Sequence, residues 1–172
     1  MKFWQALSLT FALSFLMTGA ARAKVLRAAI FDFSLDDTSL QAQMSGLSAG
    51  DLSRLNHLNA QLRTLLRESG RYQPVDMAPV EAEARASNLD ACGGCAITMA
   101  SKVGAQVAVT GLVQKVSNLI LNINVTITDV ATGQVLAAQS VDIRGDTDES
   151  WTRGLNFLFF EMKRRQEAKA AQ

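Results

Sequence analysis

The sequence predicts a single α/β domain in which a mixed five-stranded sheet is packed with helices. Three observations lead to this fold class. The 172 residues are 48% hydrophobic and 19% charged, which is typical of one globular domain. Segments with helical spacing separate the first three apolar strands, and such crossovers favour parallel pairing. The connections after the third strand are short and require an antiparallel meander, so the predicted order is β-α-β-α-α-β-β-β-α.

The N-terminal segment 1–23 is typical of a secretory signal peptide. Lys2 gives it a positive start, Leu7–Met17 is an apolar stretch too short to span a bilayer, and an Ala-Arg-Ala triplet ends at Ala23. The sequence therefore predicts cleavage after Ala23, a periplasmic location and one mature domain of residues 24–172. Neither a lipid anchor nor a later membrane span is expected, because no cysteine lies near the cleavage site and no later apolar run is long enough.

The predicted mature chain opens with a strand and a long helix. Val25–Phe33 is an apolar run that predicts a buried strand, and the polar Ser34–Thr38 segment after it is expected to be a loop. Leucines recur at three- and four-residue spacing between Asp51 and Glu68. That spacing predicts an amphipathic helix, with Gly70 as its C-terminal stop.

Three short elements follow this helix. Tyr72–Met77 predicts a second strand, and Pro74 places it at an edge of the sheet or at a strand end. Val80–Leu89 is rich in alanine and glutamate, which favours a helix. After a Cys-Gly-Gly-Cys interruption, Ala96–Val103 predicts one more helical segment.

Three strands and a helix complete the predicted domain. Gln106–Val116 is a valine-rich strand, Leu119–Thr128 alternates apolar and polar residues as a strand with one wet face, and Gln134–Ile143 returns after a turn. Asp146–Met162 begins with capping residues and continues with apolar residues at helical spacing. The polar tail Lys163–Gln172 is expected to fray.

Composition and motifs argue against several classes of function. The formal net charge is +1, which gives no general basic surface for nucleic acid. The chain has a single histidine, no phosphate-binding glycine motif and no serine nucleophile elbow. The sequence therefore predicts neither an enzyme nor a bound cofactor.

Cys92 and Cys95 form a C-x-x-C motif directly before a predicted helix. In an oxidising compartment the pair predicts a structural disulfide that pins a loop. The first alternative is a redox-active or partner-linking pair, with Cys92 attacking and Cys95 resolving, because a helix N-terminus favours a thiolate. The second is a metal site, which would need two further ligands in a chain whose only histidine is His57.

Asp32, Asp36 and Asp37 follow the first predicted strand, where α/β folds often bind ligands. Asp32 and Asp36 are therefore candidates for binding a divalent cation or for a general base. The alternative is a solvated loop in which the aspartates are turn residues.

The last helix and the meander provide the predicted partner surface. Phe157 and Phe160 lie off the main apolar stripe of the last helix, and if exposed they would form a patch for a partner or a homodimer. The alternative is a wide face buried under the sheet. Asn122 and Asn124 lie on the wet face of the meander, where they can bind a partner or face solvent.

Four segments resemble, in their order, the small α/β modules of the bacterial envelope. Ala28–Phe33 matches their opening strand, Gly70–Asp76 their second strand, Gly104–Gly111 a strand motif with Gln106 in place of an acid, and Asp129–Val135 a Thr-Gly hairpin. In the order of these segments the chain resembles the TolB N-terminal domain, the curli-secretion protein CsgG and the penicillin-binding-protein activator lipoproteins. It has neither the TolB propeller nor a lipoprotein cysteine, so their partners do not carry over.

The chain also resembles uncharacterised exported proteins of Gram-negative bacteria that share the cysteine pair and the Lys115–Ile120 segment. Some of those accompany periplasmic quinoprotein dehydrogenases. The resemblance implies a non-enzymatic periplasmic accessory module that binds another envelope protein. The alternative is a thiol-redox or electron-transfer accessory that uses Cys92 and Cys95 beside such a dehydrogenase. A third hypothesis is a carrier of a small ligand or metal at Asp32. Each of the three hypotheses is compatible with a homo-oligomer.

Overall fold

The computed structural model describes residues 24–170. The strands are β1 (Leu26–Ile30), β2 (Ser34–Asp37), β3 (Tyr72–Pro74), β4 (Val107–Ser117), β5 (Ile120–Asp129) and β6 (Val135–Ile143). The helices are α1 (Leu40–Ser45), α2 (Ala49–Glu68), α3 (Glu81–Ala86), α4 (Cys95–Lys102) and α5 (Asp148–Ala170), and a 3-10 turn at Ala78–Val80 precedes α3. The predicted signal peptide lies outside the described residues.

The six strands form one mixed sheet in the order β3-β1-β4-β5-β6, with β2 paired to β4 beyond the end of β1. β1 is parallel to β3 and to β4, and β2 is also parallel to β4. β4, β5 and β6 pair antiparallel with short connections. The α/β fold class, the parallel crossovers and the antiparallel meander predicted from the sequence are confirmed.

The predicted strand count of five was wrong, because Ser34–Asp37 forms β2 instead of a loop. β4 is eleven residues long and extends past the five residues of β1. Its free backbone groups there pair with Ser34–Asp37, from Ser34 opposite Leu112 to Asp37 opposite Lys115. A four-residue polar strand carries no apolar alternation, so only this pairing identifies it.

Helices cover the sheet on both faces. α2 and α5 pack on one face, where Leu58, Leu62, Trp151, Leu155 and Leu158 contact the core. The inward residues of β5 on this face are Leu121, Ile123, Val125 and Ile127. A smaller core on the other face holds Ala29, Phe31, Val80, Met99, Ala100 and Ala108 beneath α4 and the 3-10 turn.

The segment between β1 and β2 is held by one close packing contact and one hydrogen bond. The ring of Phe33 lies against Gly111 of β4, where an added Cβ would come within 2.4 Å of the ring. The backbone N–H of Phe33 donates to Oδ1 of the buried Asn59 on α2 at 2.8 Å. Together these contacts set the path by which the chain leaves β1 and enters β2.

The expectation that Lys163–Gln172 frays was wrong for the part that the structure describes, since α5 continues to Ala170. Ion pairs between Arg164 and Glu161 and between Lys163 and Glu167 lie along its exposed side. Nε2 of Gln166 donates to the hydroxyl of Tyr72 at 3.0 Å. Polar residues can extend a helix when such pairs and a contact with the domain support it.

Three shorter elements also differ from the sequence prediction. The second strand ends at Pro74 instead of Met77, as expected for a residue that cannot donate to the ladder. The predicted helix Val80–Leu89 is a 3-10 turn followed by the six-residue α3. α1 was not predicted, because six residues are too few to show a helical periodicity.

Candidate functional site

The aspartates after β1 have different partners. Asp32 lies just beyond β1 and accepts a hydrogen bond from Nη2 of Arg63 on α2 at 2.6 Å. Asp36 is exposed on β2, whereas Asp37 turns inward towards Lys115. Within residues 24–170, no group of three or more His, Cys, Asp or Glu side chains could hold a metal ion. The cation site that the sequence suggested at Asp32 and Asp36 stays a prediction.

Cys92 and Cys95 are joined by a disulfide in the exposed loop between α3 and α4. Cys95 is the first residue of α4, and Cys92 is exposed. Gly93 and Gly94 between them have φ angles of 64° and 112°, a region that side chains rarely adopt. The two glycines let the chain reverse within four residues and bring the sulfurs together.

Phe157 and Phe160 both point away from the sheet, with 55% and 61% of their surface exposed. Arg153 and Arg164 lie four residues before and four residues after this pair, on the same side of α5. Each arginine is paired on its own helix, Arg153 with Glu149 and Arg164 with Glu161. The outer side of α5 thus presents two aromatic rings between arginines whose charge is largely balanced.

Asn122 and Asn124 lie on the opposite face of the sheet from α5. Their neighbours on β5 point into the core beneath α5, and successive residues of a strand face opposite ways. Nδ2 of Asn122 donates to Asp142 at 2.7 Å, and Nδ2 of Asn124 lies 3.4 Å from Oε1 of Gln114. The phenylalanines and the asparagines therefore cannot belong to one continuous contact surface.

A third exposed group lies where α1 meets the β4–β5 turn. Leu40 and Met44 on α1 and Leu119 in the turn are 71%, 78% and 71% exposed. The two segments are adjacent, because Nδ2 of Asn118 reaches Oε1 of Gln41 at 3.3 Å. We call Leu40, Met44 and Leu119 the apolar end. The sequence prediction missed it because α1 was not predicted.

A buried charged cluster lies beneath the apolar end, and the sequence prediction did not include it. Lys115 on β4 is only 2% exposed, and its Nζ donates to Asp51 on α2 at 2.8 Å and to Asp146 at 2.7 Å. Asp37 on β2 lies 3.7 Å from the same nitrogen. Nη1 of Arg54 lies 3.1 Å from Asp51 and 3.2 Å from Asp146. These five residues are called the Lys115 cluster.

Lys115 and Asp51 hold each other in the charged form. Burial by itself raises the pKa of Asp51, but hydrogen bonds from Lys115 and Ser48 outweigh it and keep that pKa below its ordinary value. Burial likewise lowers the pKa of Lys115, but hydrogen bonds to Asp146 and Asp51 leave it raised. The cluster thus ties β2, β4, α2 and the segment before α5 together by charge.

A signal in the sequence could have revealed this cluster. Val107, Val109 and Val113 alternate on the inward side of β4, and Lys115 follows in the same register. A lysine at an inward position requires a carboxylate close by, because an unpaired buried charge is very costly. The sequence does not show which aspartates supply the partners.

An open cleft of about 660 Å³ lies beside the end of β1 and along β2. We call it the β2 cleft. Arg63 of α2 borders it on one side, and Arg85 of α3 and Asp90 of the disulfide loop border it on the other. Oγ of Ser34 donates to Asp90 Oδ2 at 2.5 Å, which connects the start of β2 to that loop. The cleft is thus the concave surface next to the predicted Asp32 and Asp36 region.

The helices of residues 24–170 include none that is long and apolar enough to cross a membrane. His57, the only histidine of the sequence, is exposed on α2.

Comparison with known sequences gives one family. The family model DUF3280, described as a protein of unknown function (DUF2380), matches residues 26–162. No curated protein matches the chain.

Comparison with known structures gives the fold. The C-terminal domain of LpoB from Salmonella enterica is 17% identical at a TM-score of 0.51, with 73% of this chain and 87% of that chain covered. TolB from Acinetobacter baumannii is 15% identical at a TM-score of 0.47, covering 81% of this chain and 28% of that one. Lipoprotein GNA1162 from Neisseria meningitidis is 14% identical at a TM-score of 0.48, covering 86% and 99%. The likeness to LpoB shows a shared fold, and the resemblance to CsgG stays a prediction.

Proposed function

This chain belongs to the DUF3280 family, whose function is unknown, and from that premise we propose that it is a non-enzymatic periplasmic module that binds another protein of the cell envelope. The observation that carries the proposal is the outer side of α5, where Phe157 and Phe160 are both exposed. Aromatic residues surrounded by polar side chains dominate the binding free energy of many protein interfaces. Burial of each ring against a partner would contribute about 1.5–3 kcal/mol.

The charge pattern around the rings fits a protein partner. Arg153 and Arg164 are each neutralised by a glutamate of the same helix, so the surface has little net charge to attract nucleic acid or an anionic membrane. A polar rim around an apolar centre is typical of transient protein interfaces. The apolar end and the Asn122–Asn124 face are separate surfaces, available to a further partner or to a second copy of the chain.

Export supports a partner in the envelope. The segment 1–23 has the three-part plan of a signal peptide, and cleavage after Ala23 would leave the chain two residues before β1 begins at Leu26. The Cys92–Cys95 disulfide is the form expected of a cysteine pair in an oxidising compartment.

Photo-crosslinking in the native host tests the proposal. A photoreactive phenylalanine analogue is placed at position 160 in the full chain, and after irradiation the adduct is identified by mass spectrometry. We expect one discrete adduct with an envelope protein. The same identified partner should bind the purified mature chain at least about tenfold more weakly when Phe157→Ser is introduced, since the loss of one buried aromatic ring removes more than about 1.4 kcal/mol.

The matched control carries the analogue at position 68, where Glu68 is exposed on α2. This position should give no discrete adduct. Equal adducts at both positions, or purified binding that Phe157→Ser leaves unchanged, would remove α5 as the partner surface.

The alternative function is a thiol-redox or electron-transfer accessory, and the exposure of Cys92 beside the first residue of α4 favours it. An incoming thiolate could reach Cys92, and α4 would stabilise the Cys95 thiolate that leaves. Titration of the purified mature protein against glutathione, read by alkylation and intact mass, separates the two functions. A potential below about −300 mV indicates a structural disulfide, whereas one near −120 to −200 mV indicates an exchange-competent pair.

A further inference from the structure

The outer edge of β2 carries unpaired backbone groups. β2 pairs with β4 and with no other strand in the part of the chain that the structure describes. The backbone N–H of Thr38 donates to the carbonyl of Lys115, so alternate residues of the segment face β4. By this alternation the N–H groups of Leu35 and Asp37 point away from β4. They can pair with a strand placed on the other side.

No strand of residues 24–170 lies along the outer edge of β2. β3 would fill it if it were longer, but β3 ends at Pro74 and the chain then turns away into the 3-10 turn at Ala78–Val80. The β2 cleft lies at this place, with Arg63 on the α2 side and Arg85 on the α3 side. β2 is four residues long, which gives an edge of about 13 Å at roughly 3.3 Å per residue.

The cleft combines an apolar interior with an acidic rim. Leu35, Met77 and Leu89 are only partly exposed and line it together with the buried Phe31. Four carboxylates border the cleft against two arginines, and they belong to Asp32, Asp36, Glu81 and Asp90. Asp36 is exposed and forms no ion pair with any described residue. The surplus negative charge complements lysine or arginine side chains.

We propose that the β2 cleft binds an extended segment of a partner protein, in which apolar and basic residues alternate, by addition of that segment as a strand beside β2. The backbone of the segment pairs with the edge at Leu35 and Asp37, as in other complexes formed by strand addition. Its apolar side chains lie on the same face as Leu35, and its basic side chains lie on the opposite face, where they reach Asp36, Glu81 and Asp90. The site is separate from the α5 surface, so either can fail without the other.

A synthetic peptide of alternating valine and lysine tests this site on the purified mature protein. Binding is followed by changes in the backbone amide resonances and by calorimetry. We expect the largest changes at Leu35 and Asp37 and nuclear Overhauser contacts typical of paired strands. A peptide with N-methyl groups on alternate amides cannot complete the pairing, so one of the two N-methylated registers should bind at least about tenfold more weakly.

Charge exchange supplies a second, independent readout. Asp36→Lys should lower the affinity for the valine–lysine peptide by about fivefold. The variant should also bind a valine–glutamate peptide that the unmodified protein does not bind. Glu68→Lys is the matched control, because Glu68 is an exposed carboxylate that does not line the cleft. Binding that is insensitive to N-methylation, equal effects of the two substitutions, or resonance changes centred on α5 would each overturn the proposal.

Discussion

Lys115 shows how one side chain can determine the arrangement of several elements. It is a charged residue at a core position, and its ammonium group joins carboxylates from α2 and from the segment before α5. The indole N–H of Trp151 donates to Asp146 at 2.9 Å, so the cluster also fixes the first turn of α5. Removal of the lysine would leave the three carboxylates of the cluster against the single charge of Arg54, and an excess of buried negative charge is strongly destabilising.

We therefore expect Lys115→Met to lower the free energy of unfolding by about 3–5 kcal/mol at pH 7, measured by urea denaturation. The control is Lys102→Met, because Lys102 forms a half-exposed pair with Glu83. That substitution should change the free energy of unfolding by no more than about 1 kcal/mol. Equal losses in the two variants would contradict the role given to Lys115.

The pH dependence of stability follows from the same residues. The pKa of Asp51 is lowered on folding, so its contribution is complete above the unfolded value of about 3.9 and is lost as pH falls through that value and below. The pKa of Lys115 is raised on folding, so its contribution is complete below about 10.4 and is lost as pH rises above it.

Unfolding free energies measured from pH 3 to pH 11 should therefore be highest between about pH 5 and pH 9. Lys115→Met should remove the alkaline loss that the lysine causes. It should also make the variant relatively more stable as pH falls from 7 towards 4, since protonation of the buried Asp51 then removes a charge that has lost its lysine partner. An unchanged pH profile in Lys115→Met would contradict this account of the cluster.

β2 and α5 are the two elements whose extent depended on their neighbours. Ser34–Asp37 is polar and short, and it becomes a strand because β4 offers an unpaired edge beside it. The last turns of α5 are polar, and they stay helical because Gln166 contacts Tyr72 and the charged residues pair along the helix. In both cases a partner distant in sequence decides the local conformation.

The disulfide loop has a more limited influence. Cys92 and Cys95 are three residues apart in sequence, so their bond removes little conformational entropy from the unfolded chain. The loop forms one wall of the β2 cleft, through Leu89 and Asp90. We therefore expect the disulfide to affect the cleft more than it affects the stability of the whole fold.

Replacement of Cys92 and Cys95 by serine should leave the protein folded at 25 °C, with a loss of at most about 2 kcal/mol in the free energy of unfolding. Circular dichroism and urea denaturation measure this, and reduced, alkylated wild-type protein serves as a second sample without the bond. Complete unfolding of the double variant at 25 °C would show that the disulfide supports the whole domain.

The exposed surfaces of the molecule lie on different sides of the sheet and do not form one continuous contact area. α5 and its two phenylalanines cover one face, Asn122 and Asn124 lie on the other, and the β2 cleft opens at the edge. If both proposed surfaces bind, one copy of the protein can contact two partners at the same time. The proposed α5 surface and the proposed cleft are compatible because they do not overlap.

The export predicted from segment 1–23 has its own test. We expect the protein to be recovered from the periplasmic fraction with Lys24 as its N-terminal residue, because the Ala-Arg-Ala triplet ends at Ala23. N-terminal sequencing and intact mass measure this. Recovery of the uncleaved chain from the cytoplasm would contradict the envelope location on which the proposed function depends.

The sequence alone was sufficient to predict the α/β class, the parallel crossovers and the antiparallel meander. These features follow from periodicity and connection length, which are local properties of the chain. The exposure of Phe157 and Phe160 was one of two alternatives, because helical spacing alone does not show how wide the buried face of α5 is.

Four features could be identified only from the tertiary structure. They are strand β2, the full length of α5, the Lys115 cluster and the β2 cleft. Asp37, Asp51, Lys115 and Asp146 are far apart in sequence and meet only when β4 pairs with β2 and α2 packs on the sheet. The cleft exists because β3 is shorter than the edge beside it. Such features depend on which distant segments become neighbours, and no local pattern of residues contains that information.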